Sequence, residues 1–220
     1  MKTNEELQKD VQDAIKWEPL LRSSDIGVSV KEGIVTLTGT VDGYSKKAEA
    51  EEAARNVSGV KVVVEKIEVV FSDANQKGDN EIASEIMNAF KWHWDIPNDK
   101  VSVKVEDGWV TLTGELEWNY QKEAAKKTVS NLVGVKGIVN NIMIMTLSKD
   151  RTEKEGIENA IERDGRIDNR TIEVEVINNT VTLKGIVDSW YQKKETERIA
   201  WNAPGVKQVQ NDLIVDFDEE

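Results

Sequence analysis

One string occurs three times in this chain: "GIVTLTGTVDGYSKK" at 33–47, "GWVTLTGELEWNYQK" at 108–122 and "NTVTLKGIVDSWYQK" at 179–193. Gly39, Gly114 and Gly185 are separated by 75 and 71 positions (114−39 and 185−114). Gly59, Gly134 and Gly205 repeat both differences (134−59 and 205−134), so this half of each copy aligns without a gap. A period of about seventy residues describes tandem units, each with its own small core, rather than one large core. The expected units are 1–72, 73–148 and 149–220, divided in the polar stretches 72–79 and 147–155.

Each unit reads in one order. A first helix is marked by Thr3 with Glu6 and by Thr152 with Glu155, at capping-box spacing. Its apolar stripe is Val11, Ala14 and Ile15, then Ile86, Ala89 and Phe90, then Ile157, Ala160 and Ile161. A strand with period-two alternation follows, as in Ile26, Val28 and Val30. Glu32-Gly33, Asp107-Gly108 and Asn178-Asn179 tolerate the positive φ of a two-residue hairpin. The return strand puts Val35, Leu37 and Val41 on one face and Thr36, Thr38 and Thr40 on the other. A second helix carries Ala50, Ala53, Ala54 and Val57 at i, i+3, i+4 and i+7. Gly59 and Gly134 stand where a left-handed C-cap would fall, and a last strand carries Val63, Ile67 and Val69.

The order αββαβ predicts an α+β fold class. Joining the second and third strands through a helix favours a parallel, right-handed crossover, hence a three-stranded mixed sheet. Both helices are expected on one face, leaving the threonine face open. That face is unevenly apolar, with Ile34, Val62 and Val64 in one copy and Trp109, Val139, Met143 and Met145 in the next. Burial against adjacent units is the first expectation for it, an interaction groove the second.

Charge narrows the partners. A net charge of −12 repels nucleic-acid phosphate, and no basic stripe longer than Lys46-Lys47 or Lys126-Lys127 offsets it. No window reaches the run of about 20 apolar residues that spans a bilayer. The N-terminus lacks the apolar core of a secretory signal, so a native start predicts a cytoplasmic protein and a trimmed one leaves the periplasm open. With no cysteine there are neither disulfides nor thiolate metal sites.

The runs from 33 to 69, from 108 and from 179, with "VTLTG" or "VTLKG", the alanine-bearing second helix, "GV" and the last strand, resemble the BON domain of bacterial osmotic-stress and nodulation proteins. The resemblance covers nearly the whole chain as three copies. Asn140 and Asn211 match an asparagine frequent on that family's last strand; Glu65 replaces it in the first copy and puts its backbone contact in question there. The resemblance implies a non-enzymatic binding module of osmotic and envelope stress, with a phospholipid surface or an envelope protein as partner and no cofactor. A soluble scaffold or chaperone-like role is the alternative.

Residue by residue, catalysis finds little support. His93 in "KWHWD" is the single histidine, its counterparts are Glu18 and Asp164, and it reads as a partly exposed member of an aromatic cluster. The stretch 164–170 lacks the spacing of a calcium loop and reads as surface. Gly39, Gly114 and Gly185 point to a bulge or to close approach by the second helix. Tyr44, Trp118, Tyr120, Trp190 and Tyr191 all fall between the return strand and the second helix, beside Lys46, Lys47, Lys122, Lys193 and Lys194. These ten form the candidate site, with three readings: packing within the protein, a protein partner or lipid headgroups. Trp17, Trp92 and Trp94, beside the first-helix stripe, are expected as lids over the core.

Overall fold

The computed structural model describes residues 2–21, 26–72, 76–145, 154–168 and 171–216. Three αββαβ copies follow one another. The first comprises α1 (Asn4–Trp17), β1 (Ile26–Lys31), β2 (Ile34–Val41), α2 (Tyr44–Arg55) and β3 (Val62–Val69). The second comprises α3 (Asp79–Trp92), β4 (Val101–Glu106), β5 (Trp109–Leu116), α4 (Asn119–Ser130) and β6 (Gly137–Ile144). In the third, α5 (Lys154–Arg163) and β7 (Glu173–Ile177) precede a return strand broken into β8 (Thr180–Lys184) and β9 (Ile186–Val187). There α6 (Trp190–Trp201) leads to a last strand in two pieces, β10 (Gln208–Asn211) and β11 (Ile214–Val215).

Local chemistry starts each element. Thr3 Oγ1 accepts from the Glu6 N–H at 3.2 Å while Glu6 Oε2 accepts from the Thr3 N–H at 2.8 Å, closing the capping box. These bonds hold the Glu6 carboxyl below its usual range. The Thr152 box lies outside the described residues. The hairpin pairs take positive φ as expected, 53° and 80° at Glu32-Gly33, 51° and 81° at Asp107-Gly108, 50° and 67° at Asn178-Asn179. Asp79 also locks its hairpin from the start of α3, accepting from the Asp107 and Gly108 N–H groups at 2.9 Å.

Each sheet is mixed. β1 pairs antiparallel with β2, and β2 pairs parallel with β3 from Ile34↔Val62 to Val41↔Val69. The third copy keeps this order with the parallel ladder in two parts, broken at Gly185. Alternation sends Val35, Leu37 and Val41 inward onto Leu7, Val11, Ile15, Ala50 and Ala54, all buried in one cluster. The third copy repeats this with Val181, Leu183 and Val187 against Ile157, Ile161 and Ala200.

Two glycine expectations are corrected. Gly59 and Gly134 have left-handed φ (97° each), but α2 and α4 end at C-caps Asn56 and Asn131, three residues earlier. The glycines serve the following turn. At Gly114 and Gly185 the close neighbour is not the second helix: a Cβ would overlap the carbonyls of Lys100 and Thr171, just before the first strand of the unit. With φ at 145° and 124°, no other residue fits there.

Candidate functional site

The ten residues of the junction between return strand and second helix divide by how far their own unit engages them. Tyr44 opens α2 half-buried, and burial, then Glu51 and Glu65, push its phenol pKa up. Trp118 is half-exposed, its backbone N–H donating to Gln121 Oε1 at 3.1 Å, and Tyr120 is exposed. Trp190 is half-exposed with Lys193 Nζ 5.4 Å from its ring centroid. Tyr191 is exposed but has the Arg166 guanidinium over its ring at 5.4 Å.

The lysines are more deeply committed. Lys47, Lys122 and Lys193 occupy one position of the repeat (122−47 and 193−122 give 75 and 71). Lys47 Nζ donates to the Ile67 carbonyl at 2.8 Å and pairs with Glu65 Oε2 at 2.8 Å. Lys193 Nζ donates to the Leu213 carbonyl at 2.5 Å. Both ammonium groups therefore tie the second helix to the last strand. Lys122, half-buried, contributes its carbonyl, which accepts from Asn140 Nδ2 at 3.2 Å. Lys46 pairs with Asp42 at 2.6 Å, and Lys194 is exposed.

Asn140 and Asn211 explain the geometry of this seam. Asn211 Nδ2 donates to the Lys193 carbonyl at 3.0 Å, while its Oδ1 accepts from the Leu213 N–H at 3.3 Å. Asn140 does the same with Lys122 and Ile142. Glu65 keeps half of this arrangement: its Oε1 accepts from the Ile67 N–H, and the Lys47 ion pair replaces the lost amide donor.

The first-helix tryptophans are the larger correction. Trp17, Trp92 and Trp94 are 87%, 88% and 92% exposed, not lids. The buried stripes are Leu7, Val11 and Ile15 in α1 and Ile82, Ile86 and Phe90 in α3. Trp17 and Trp92 lie two residues past the last stripe member, about 200° around the helix at 3.6 residues per turn. The lids are Leu21, Ile96 and Ile167, all buried. Each is set by one turn, in which its N–H donates to the carbonyl of Glu18, His93 or Asp164 at 3.1, 3.1 and 3.0 Å. Counting helical phase from Ile15 and Phe90 was the signal available in the sequence.

The open sheet face is likewise exposed rather than buried: Ile34, Val62, Trp109, Val139, Met143 and Met145 all face solvent, and Val64 is half-buried. The second copy adds a local device. A Cβ on Gly137 would lie only 2.3–2.8 Å from carbons of the Trp109 six-membered ring, so this glycine lets the indole lie across β6.

A BON domain model matches residues 3–70, 78–145 and 149–216. This chain belongs to the BON domain family. Its curated relatives include osmotically-inducible protein Y of Escherichia coli (strain K12), 29% identical over 187 residues, covering 81% of this chain and 92% of that protein. An uncharacterised protein in the gshII 5' region of Anaplasma centrale is 31% identical over 124 residues, 55% of this chain and 82% of that protein. Among solved structures, the C-terminal domain of CdsD, a type III secretion structural protein of Chlamydia trachomatis, aligns over 98% of this BON chain and 100% of its own at 15% identity. The TM-score is 0.26. Among the described residues, no helix is long and apolar enough to cross a membrane.

Proposed function

We propose that this chain is a non-enzymatic adhesion protein of the osmotic or envelope stress response, whose BON modules dock on a phospholipid surface. The stress context comes from the family and from the name of the Escherichia coli relative. The observation that carries the lipid reading is the trio of almost fully exposed indoles at Trp17, Trp92 and Trp94. Indole rings settle at the headgroup level of bilayers. Exposing three of them at helix ends has no benefit to the fold. Lys16 and Lys91, in the last turns of α1 and α3, flank them with the charge that favours phosphate. The overall −12 charge directs the protein to zwitterionic rather than strongly anionic surfaces. Two such tips in one chain raise weak binding by multivalency when both engage together.

The test is co-sedimentation of the whole chain with phosphatidylcholine vesicles. Wild type is expected to pellet with lipid and the triple variant Trp17→Ala, Trp92→Ala, Trp94→Ala to stay in the supernatant. Wild-type protein that never pellets rejects the lipid reading. A protein-interaction reading draws on a different observation, the Trp109 indole laid over Gly137 beside exposed Val139 and Met143. Under it, Trp109→Ala abolishes partner capture and leaves vesicle binding intact.

A further inference from the structure

The turn that follows the first helix carries different charges in different copies. Its first position is Glu18, His93 or Asp164; two residues on stand Leu20, Asp95 and Arg166; the buried lid comes next. In the third copy the turn is closed by a full ion pair. Asp164 Oδ1 accepts from the Arg166 N–H at 3.2 Å and from its Nε at 2.8 Å, and Oδ2 accepts from Nη2 at 2.7 Å. Arg166 also reaches Glu195 on α6 at 3.0 Å.

The second copy holds the same pair with its signs exchanged. His93 takes the place of the acid and Asp95 the place of the guanidinium (93+71 and 95+71 give 164 and 166). His93 Nδ1 lies 3.5 Å from Asp95 Oδ1, beyond a good hydrogen bond. That oxygen is buried and has no hydrogen-bond partner among the described residues. The third copy's pair is charged across the whole neutral range. The second copy's pair exists only when the imidazole holds a proton, and imidazole is the side chain that ordinarily changes charge between about pH 5 and 8.

The other charged residues along the chain here are Lys91, Asp99 and Lys100, all exposed. On α4, Tyr120, Ala124 and Lys127 stand at the positions that α6 fills with Tyr191, Glu195 and Arg198 (191−71, 195−71 and 198−71). Lys127 is exposed. The second carboxylate that braces Arg166 has no equivalent, because alanine occupies its position.

We propose that the His93–Asp95 turn is a proton-gated ion pair that regulates adhesion by its neighbours Trp92 and Trp94. This rests on the lipid reading above. With His93 neutral, seating the two indoles in a headgroup layer carries an unpaired carboxylate towards lower dielectric, at a cost. Protonation pairs that carboxylate, fixes the turn and adds one positive charge at the tip. Binding therefore strengthens as pH falls through the imidazole range.

The experiment uses the full chain, in which every imidazole NMR signal reports His93 because the sequence holds one histidine. Asp95→Asn is expected to lower the His93 titration midpoint, because a neighbouring carboxylate favours the protonated ring. An unchanged midpoint overturns the ion pair. Co-sedimentation then uses phosphatidylcholine vesicles containing a minor share of phosphatidylglycerol, at about pH 5.5 and about pH 7.5, on either side of the imidazole range. Wild type is expected to bind about fivefold more tightly at the lower pH, the effect of one added cation near such a surface. His93→Gln is expected to remove that dependence, and it keeps the test available should Asp95→Asn misfold. Binding whose pH dependence survives His93→Gln overturns the gate alone. A shifted midpoint with no vesicle binding at either pH upholds the pair, and overturns both its regulatory role and the lipid reading.

Discussion

Two aromatic regions of this BON protein differ in a way that composition does not reveal. The junction before the second helix gathers Tyr44, Trp118, Tyr120, Trp190 and Tyr191 beside five lysines, and its position in the chain left packing, a protein partner and lipid all open. Much of it is occupied by its own unit: Lys47 and Lys193 donate to carbonyls of the last strand, and Trp190 and Tyr191 meet Lys193 and Arg166. The end of the first helix, where Trp17, Trp92 and Trp94 looked like lids, is where large rings stand open. The lesson is that helical phase decides exposure: two residues past a buried Ile15 or Phe90, a tryptophan has no core to reach.

Substitution can break that contrast. The largest effect is expected at the lid. Ile96→Ala should destabilise the second unit by ~2–4 kcal/mol through a buried cavity. Trp94→Ala, two residues earlier, should stay within about 0.5 kcal/mol. Hydrogen exchange in the second unit of the whole chain measures both; equal losses would return Trp94 to the core.

A smaller loss, about 1–3 kcal/mol, is expected when Asn211→Ala removes the acceptor of the Leu213 N–H and a second donor to the Lys193 carbonyl. Lys193→Ala should cost about 1 kcal/mol by removing one carbonyl contact. If urea denaturation shows Lys193→Ala to be neutral while vesicle binding falls, the junction lysine is adhesive rather than structural.

The smallest effect concerns acid. The hydrogen bond from Arg166 first of all lowers the Asp164 carboxyl to about 2, and Arg198 holds Glu195 below its usual range. A depressed carboxyl contributes stability that is present above its unfolded pKa and lost as pH falls through the folded one. The third unit should therefore weaken between about pH 4 and about pH 2. Arg166→Gln should flatten that acid slope in hydrogen exchange of the third unit; an unaltered slope would remove the network from the account.

Much of this could be read from the chain because repeats report on one another. The differences of 75 and 71 fixed the hairpins, the stripes and the αββαβ order before any contact was known. The lysine contacts could not be read. Lys47 and Ile67 are 20 residues apart, and meet because the crossover sets β3 parallel to β2 beneath α2. Gly137 could not be assigned either, since its role depends on the β5 indole reaching across β6. The openness of the threonine face within its own unit followed from alternation.

The most direct measurement is quenching of tryptophan fluorescence by phospholipid brominated along its acyl chains, on the whole chain. Wild type should be quenched on mixing with such vesicles, and a chain carrying Trp17→Phe, Trp92→Phe and Trp94→Phe should lose most of that quenching while Trp109, Trp118, Trp190 and Trp201 remain. Quenching that persists undiminished in the triple variant would place lipid contact elsewhere and contradict the assignment of adhesion to the helix ends.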